Sequence, residues 1–465
     1  MGGIANITAI EALSANVLDT RFQNFDQDTL ERNKTRIIDA VGCLIGGANA
    51  AGNRELVELV KEWGGKEEAT ILIYGGKVPA LHAAMLNSIM TRSFDFEPLS
   101  PLVDGESIPA HISATTIMTA IALGEMKGIN GKELFAAIMV GDDVASRVLA
   151  ASGYDFTLGW DNTGTVNVIG ATAIAGRLLG LNNKQMRNAF GIALNQLAGS
   201  FQSIWEGSTD FKLPQGMSAR NGIFAAELAK AGWTGPEDAL LSKFGYYHLY
   251  TEGCVKPDIL TKHLGKKYYA DATVKPWSCC RGNQGAIACA LAIVRKHDIK
   301  AENIEEVIIY ASQYMLDNFL AQSFKIGDFP HGSACFNFRY AVANALIRKG
   351  VRPEHYSEEA IRSPDINALI KKVRLALLEC FETPLTSRVT VRMKDGQEFS
   401  EFTNSPKGDS VRNPITKEEI IEKFWTNVDF SKTVAKNNAE RLLCLLEKLE
   451  ELGNVKDLVR LLIRS

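Results

Sequence analysis

Apolar residues recur at spacings of three and four positions over residues 8 to 265, which is the period of amphipathic helices. This spacing predicts a succession of helices and very few strands in that part of the chain. Helices that follow one another through short loops form antiparallel bundles, so we expect a large all-helical bundle domain. The clearest of the predicted helices span residues 30–45, 112–125, 132–150, 168–179, 184–197 and 219–231.

Two segments of nearly the same sequence separate neighbouring helices. Residues 128–134 read Gly-Ile-Asn-Gly-Lys-Glu-Leu and residues 180–186 read Gly-Leu-Asn-Asn-Lys-Gln-Met. In each segment the glycine is placed to end one helix and the asparagine to cap the next.

The pattern changes near residue 266. Strands are predicted at residues 268–276, 307–312 and 387–393, and the last leads through an Asp-Gly turn into a hairpin. Helices are predicted between them at residues 285–296, 338–349 and 366–378, and helical periodicity returns from Lys417 to the chain end. We therefore predict a mostly α protein with two domains. Residues 1–265 and 410–465 form the helical domain, and residues 266–409 form a smaller inserted α+β domain.

Charge and composition narrow the classes of partner. The chain has 51 basic and 54 acidic side chains, a net charge of -3, and no long stretch of one sign. A nucleic-acid surface and a polybasic membrane contact are therefore not expected. The sequence has no apolar run near the ~20 residues of a membrane helix, and its start lacks the pattern of a secretory signal. Scattered single cysteines are typical of reduced thiols, so we expect a cytoplasmic protein.

Cofactor motifs are missing from the sequence. The seven histidines show no metal-ligand spacing, and the adjacent Cys279 and Cys280 are poorly placed to bridge each other or to hold one ion. The glycine-rich nucleotide and phosphate loops and the serine-hydrolase elbow do not occur either. We expect neither a metal nor an organic cofactor.

One polar turn indicates a site. Residues 275–285 read Lys-Pro-Trp-Ser-Cys-Cys-Arg-Gly-Asn-Gln-Gly, between a predicted strand and an alanine-rich helix. Arg281 places its donors at the start of that helix, an arrangement that suits a carboxylate. An ordinary strand-to-helix connection with two buried thiols is the alternative interpretation.

Five segments carry a resemblance to a known family: residues 93–96, 159–165, 207–212, 232–236 and 275–282. Together they resemble the MmgE/PrpD family, which includes 2-methylcitrate dehydratases, cis-aconitate decarboxylases and iminodisuccinate epimerases. The resemblance implies a cofactor-free homodimer whose active site lies in a cleft between a large helical domain and a smaller α+β domain. It also implies chemistry on small di- and tricarboxylates.

The resemblance identifies catalytic candidates. Removing a proton or CO2 next to a carboxylate builds negative charge, so the pocket must supply cations and a proton carrier. Lys212 matches the family's pocket lysine, Asp95 its acidic residue between two aromatics, and His111 its histidine before a helix. A surface salt bridge, a helix cap and a capping histidine are the respective structural alternatives.

Three positions depart from the family pattern. Asp161, Gln215 and Gln284 stand where the family usually has histidine. Glutamine orients a substrate by hydrogen bonds but does not carry protons near neutral pH. An aspartate at 161 repels a carboxylate and favours a substrate with fewer carboxylates, or one with a hydroxyl or amine at that end.

We predict a lyase of dehydratase or decarboxylase type that acts next to a carboxylate of a small hydroxy or unsaturated acid. An epimerase or isomerase of a dicarboxylate, with Asp161 as its base, is one alternative. A degenerate family member that only binds a metabolite is a second, and a helical protein-interaction module is a third. The predicted catalytic residues are Asp95, His111, Asp161 and Lys212, and the predicted substrate-binding residues are Thr163, Gln215, Cys280, Arg281, Gln284 and Tyr314.

Overall fold

The computed structural model describes residues 7–464, and helices dominate the first part of the chain. The predicted punctuation between helices is confirmed. Gly128 and Gly180 adopt left-handed backbone conformations, and Asn130 and Asn182 accept hydrogen bonds from the first turns of the helices that follow. The helices, numbered α1 to α11, are Ala9–Asp19, Gln27–Gly47, Asn53–Trp63, Ala80–Arg92, Ser113–Lys127, Gly131–Ala150, Val166–Leu179, Asn183–Leu194, Gln202–Glu206, Leu213–Lys230 and Tyr246–Tyr250.

Short strands accompany these helices. Ala69–Thr70 (β1) pairs with Lys77–Val78 (β2), and Leu99–Val103 (β3) pairs with Glu106–Ser107 (β4). Of the strand predicted at residues 268–276, only Asp271–Thr273 (β5) is extended and paired. It lies antiparallel to β3, with Leu99 opposite Thr273. This pairing ties the start of the predicted second domain to the helical part.

The second part of the chain contains a four-stranded mixed sheet, which confirms the α+β class. Its strands are Ile304–Ala311 (β6), Val373–Leu377 (β7), Ser387–Met393 (β8) and Glu398–Thr403 (β9), in the order β7-β6-β8-β9. β6 and β7 are parallel, and the other pairs are antiparallel. The helices α12 to α17 are Gln284–Lys296, Gln313–Leu316, Pro330–Cys335, Phe338–Arg348, Glu358–Ile361 and Pro364–Ile370.

One predicted helix is wrong in its second half. Residues 366–378 begin in α17 but continue as β7, which pairs in parallel with β6. The apolar positions Val373, Leu375 and Leu377 alternate with other residues, which is a strand period. A free edge of β6 is available to pair with this segment, so the local helical spacing did not decide its structure.

Three helices follow the sheet and return to the helical part: Lys417–Ser431 (α18), Lys436–Glu447 (α19) and Val455–Leu461 (α20). α18 packs on α2, and α20 packs on α5. Ile420, Phe424 and Leu442 are buried in the same apolar core as α1 to α8, α10 and α11. This packing supports our proposal that residues 1–265 and 410–465 form one domain. Among residues 7–464, none of the helices combines the length and apolar character that crossing a membrane requires.

Candidate active site

Five ionisable side chains meet where α4 ends, and we call them the Asp95 cluster: Arg92, Asp95, Glu97, His111 and Lys275. The Arg92 guanidinium contacts Asp95, and its Nη1 lies 2.9 Å from Glu97 Oε1. His111 Nδ1 lies 2.7 Å from the same Glu97 oxygen, and Lys275 Nζ lies 3.1 Å from Asp95 Oδ1. All except His111 are almost completely buried.

Local backbone geometry and one strand pairing create this cluster. Asp95 has a φ of 50°, a left-handed conformation that is uncommon outside glycine and turns its carboxylate towards Arg92. The pairing of β5 with β3 brings Lys275, just after β5, beside the loop that precedes β3. Asp271 on β5 also accepts hydrogen bonds from the N–H groups of Ile112 and Ser113, at 2.9 and 2.7 Å. The strand therefore fixes both Lys275 and the segment that carries His111.

The charges set the protonation states of Glu97 and His111. Burial alone would raise the pKa of Glu97, but Arg92 and His111 hold it well below its ordinary value. Burial and Arg92 lower the pKa of His111, against the opposing effect of Glu97. A neutral His111 whose Nδ1–H donates to ionised Glu97 has its lone pair on Nε2. That nitrogen, 3.9 Å from Asp95 Oδ1, is the natural proton acceptor of the cluster.

Asp95, Glu97 and His111 each offer an atom within 4.8 Å of the others, a spacing that is also found at metal sites. Here Arg92 Nη1 lies among these atoms, 3.0 Å from His111 Nδ1 and in contact with both carboxylates. A guanidinium therefore neutralises the acids at the position that a cation would take.

Lys212 stands apart from these acids. It lies in the 3-10 turn Thr209–Lys212, is 4% exposed, and donates to the Ala51 carbonyl and Asn53 Oδ1, both at 2.7 Å. Since both acceptors are neutral, burial lowers the pKa of Lys212 to about 7. The ring of Phe211, the residue before it, lies 5.5 Å from the Arg92 guanidinium. The Lys212 turn therefore adjoins the Asp95 cluster.

His331, on α14 of the second part, is a further site residue that the sequence did not reveal. Its Nε2 is buried without a hydrogen-bond partner among the described residues. Its ring packs against Phe94 and Phe329, with centroids 4.8 and 5.4 Å away. Burial and the charge of Lys212 lower the pKa of His331 to about 3, while Asp95 opposes this shift. A neutral imidazole therefore faces the region between the lysine and the acid.

Asp161 and Gln215 stabilise backbone near the cluster. Asp161 caps the 3-10 turn Asn162–Gly164 and accepts from the N–H of Thr163 at 2.9 Å. Gln215 Nε2 donates to the His111 carbonyl at 2.9 Å, so it holds the backbone of the histidine. Thr163 is buried, and its carbonyl accepts from Ser218 at 2.6 Å.

The predicted residues of the 275–285 turn have different environments. Gln284 is fully buried and donates to the Trp277 carbonyl at 2.9 Å and to Cys279 Sγ at 3.2 Å, contacts that close the turn on itself. Burial raises the pKa of Cys280 to about 12, and Asp95 adds to this shift. Cys280 is therefore a neutral thiol facing the acid.

Arg281 and Tyr314 lie on the second part's side of the site. Arg281 Nη2 is 3.5 Å from Asp409, and burial lowers the pKa of Arg281 to about 10. Tyr314 is 45% exposed, and its ring meets that of Phe156 edge-on at 5.4 Å. Burial raises its pKa to about 12, so it is a neutral hydrogen-bond donor.

The structure thus joins Asp95, His111 and Gln215 directly, and sets Lys212 beside them. Three members of the cluster were missed from the sequence: Arg92, Glu97 and Lys275. Two signals were available. Glu97 lies two positions after Asp95, and Lys275 opens the segment 275–282.

A histidine beside a carboxylate and buried cations is an arrangement that can transfer protons next to a bound carboxylate. Family models match both parts of the chain: the MmgE/PrpD N-terminal domain matches residues 11–257, and the MmgE/PrpD C-terminal domain matches residues 277–450. The chain therefore belongs to the MmgE/PrpD family, which confirms the resemblance noted in the sequence.

Curated relatives align over nearly their whole length. The chain is 24% identical to the cis-aconitate decarboxylase-like protein oryM of Aspergillus oryzae, covering 98% of this chain and 97% of the relative. It is also 24% identical to the cis-aconitate decarboxylase of Mus musculus, over 97% and 93% of the two chains. The cis-aconitate decarboxylase of Aspergillus terreus is similar at 24% identity, over 94% and 92%.

Proposed function

We propose that this protein is a cofactor-free lyase of dehydratase or decarboxylase type, acting at a carbon next to a carboxylate of a small hydroxy or unsaturated acid. The names of its relatives support a lyase of this type. One observation carries the proposal: His111 Nδ1 lies 2.7 Å from the buried Glu97 carboxylate, beside Lys212, whose acceptors in the described part of the chain are two neutral oxygens.

In this proposal Lys212 binds a carboxylate of the substrate, and His111 and Asp95 move the proton. A decarboxylation breaks the bond to the leaving CO2, and its electron pair remains on the neighbouring carbon. His111 Nε2 takes up a proton from water, and the resulting imidazolium gives that proton to the carbon and returns to its neutral form. In a dehydration His111 Nε2 instead removes a proton from carbon, and the imidazolium passes that proton to the hydroxyl, which leaves as water. Lys275 and Arg92 balance the charge of Asp95 throughout.

The geometry favours this assignment over an epimerase that uses Asp161 as base. The Asp161 carboxylate already accepts the N–H of Thr163, which is a capping contact. His111 Nε2 is in contrast free to accept a proton. We therefore place catalysis on Asp95, His111 and Lys212, with Arg281 and Tyr314 as substrate contacts from the second domain.

Turnover assays with two variants test this proposal. Lys212→Ala and His111→Gln are assayed with cis-aconitate, 2-methylcitrate and a panel of hydroxy and amino diacids. Loss of the carboxylate-binding cation or of the proton carrier is expected to reduce kcat/KM by about 10²-fold or more. Lys230→Ala is the matched control, because Lys230 donates to the Leu179 carbonyl at 2.8 Å, on the helix that follows Lys212. Unchanged turnover in both site variants rejects the assignment.

We also propose that the protein is a homodimer, as the family resemblance implies. Its helical part exposes large apolar side chains that a second copy would cover. Trp63 is 54% exposed and Phe224 46%, and Trp233 and Phe244 exceed 60%. Sedimentation velocity should give about twice the chain mass of 50.9 kDa. A species of single-chain mass at micromolar concentration contradicts the dimer.

A further inference from the structure

Helix α18, which follows the second part of the chain, contacts both neighbours of Asp95. The ring of Phe430 meets that of Phe94 edge-on, with centroids 5.5 Å apart. Lys423 Nζ donates to the Phe96 carbonyl at 2.5 Å and lies 4.4 Å from the centre of the Phe96 ring. One helix therefore holds the backbone on either side of the strained Asp95.

Lys423 is itself held by a buried acid. Its Nζ lies 2.7 Å from Asp39 Oδ1, and the two side chains are only 5% and 1% exposed. Burial raises the pKa of Asp39, Lys423 opposes this shift, and Glu97 adds to it. The groups that face this pair are Cys43, Glu97 and Lys275. The ion pair therefore lies close enough to the Asp95 cluster for Glu97 and Lys275 to affect its charges.

Two glycines on α2 fix the position of α18. A Cβ atom at Gly46 would lie 2.3 Å from Asn427 Oδ1, and one at Gly42 would lie 3.2 Å from the Phe424 ring. α18 therefore approaches α2 more closely than larger residues would allow. With the helix fixed in this register, the Lys423 side chain lies between Asp39 and the Phe96 carbonyl.

We propose that Lys423 is a positioning residue for the reaction: held by Asp39, it fixes the Phe96 carbonyl and so keeps Asp95 and Glu97 on opposite sides of His111. This inference rests on the proposed function of the Asp95 cluster. Under this proposal α18 contributes to catalysis although it is distant in sequence from the loop that it contacts. Lys423 and Phe96 are 327 positions apart. Asp39 contacts Lys423, whereas Lys423 contacts the loop that carries Asp95 and Glu97.

That asymmetry separates a positioning role from a stabilising one. If the pair only stabilises the fold, Asp39→Asn and Lys423→Met will have similar consequences, because each leaves one buried charge unpaired. If Lys423 positions the loop, Asp39→Asn keeps the donor to Phe96 and Lys423→Met removes it. The second variant should then lose far more activity than the first.

The test combines kinetics with NMR titration of His111, whose ring signals are assigned from the spectrum of His111→Gln. Lys423→Met should lower kcat by about 10- to 100-fold with KM changed less than threefold, the scale seen when the partner of a site ligand is removed. Its loosened loop should let the pKa of His111 rise towards the ordinary value of 6.5. Asp39→Asn should change both quantities much less.

Two further variants complete the design. Asp39→Asn/Lys423→Met removes both charges, which buried pairs often tolerate, and should repeat the kcat loss even where the single lysine variant fails to fold. Lys34→Met is the control, because Lys34 on α2 bonds Glu450 in the C-terminal segment at 3.1 Å, away from the cluster. Equal effects of Asp39→Asn and Lys423→Met, or a double variant with normal kcat and normal His111 pKa, overturn the inference. If no acid on the panel is turned over, the proposed function fails, while the His111 titration still decides the role of Lys423.

Discussion

Two buried lysines at neighbouring ends of the candidate site differ in what they contact. Lys275 lies 3.1 Å from the Asp95 carboxylate, which Arg92 also contacts. Within residues 7–464, the hydrogen bonds of Lys212 go to a carbonyl and an amide oxygen, and burial lowers its pKa to about 7. A buried charge without a counter-charge is costly, so a carboxylate from outside gains most at Lys212. We therefore propose that the Asp95 end moves protons and that the Lys212 end binds an anion.

The largest expected effect concerns the paired lysine. Lys275→Met removes one of two cations from Asp95, so we expect kcat to fall by about 10²-fold or more, the usual range for disrupting acid–base groups. Lys256→Met removes an exposed ion pair with Glu106 and should leave kcat unchanged. Steady-state kinetics on the best substrate of the panel measures both. If kcat of Lys275→Met is within threefold of the wild-type value, the proposed difference in role between the Asp95 end and the Lys212 end is wrong.

A smaller effect is expected at Lys212, where binding of a carboxylate should be accompanied by proton uptake. Because the pKa of free Lys212 is about 7, much of it is neutral at pH 8, and a bound carboxylate raises that pKa again. Binding at pH 8 should therefore take up close to one proton, and at pH 6 close to none. Calorimetry in two buffers of different ionisation enthalpy measures this number. Lys212→Met should abolish the uptake, and equal uptake by that variant would place the anion elsewhere.

The smallest effect concerns acid stability. The folded-state pKa of His331 is about 3. Between about pH 6.5 and pH 3, this histidine therefore binds a proton in the unfolded chain but not in the folded chain. This histidine therefore lowers the free energy of unfolding as pH falls through that window. His331→Phe keeps the aromatic packing and should reduce the loss between pH 7 and pH 4 by about 3 kcal/mol. Urea denaturation of both proteins at the two pH values measures the difference, and identical losses contradict the prediction.

Much of the fold was predictable because its elements carry local patterns. The Gly-x-Asn punctuation at residues 128–130 and 180–182 marks helix ends directly, and the Asp-Gly turn marks the β8–β9 hairpin. The switch from α17 to β7 was missed because it depends on pairing with β6, a segment more than 60 residues earlier in the chain. Long-range pairing leaves little trace in short windows of sequence.

In the candidate site, too, the residues placed by long-range contacts were not predictable from local sequence. Asp95 and His111 were found through matching segments, whereas the place of Lys275 depends on the pairing of β5 with β3. Nothing in the sequence around His331 signals its position, because it reaches the site only through packing between the two parts of the chain. The network of side chains that holds a site is a property of the folded chain.

The three positions without the family's histidine now have physical roles. Gln215 supports the His111 carbonyl, Gln284 closes the 275–285 turn, and Asp161 caps its own turn. These residues hold backbone, so their lack of an imidazole does not leave the site without one. His111 and His331 remain, one from each part of the chain. We therefore expect the replacements to affect the choice of substrate more than proton transfer.

Proton-exchange NMR in heavy water tests whether His111 transfers a proton at the substrate carbon. The protein is incubated with each acid of the panel, and deuterium is followed at the carbon next to the carboxylate. We expect wild type to introduce solvent deuterium at that carbon for at least one acid, and His111→Gln to lose this incorporation while still binding the acid. Incorporation that persists undiminished in His111→Gln, or an acid that binds at Lys212 and never exchanges or reacts, would contradict this expectation.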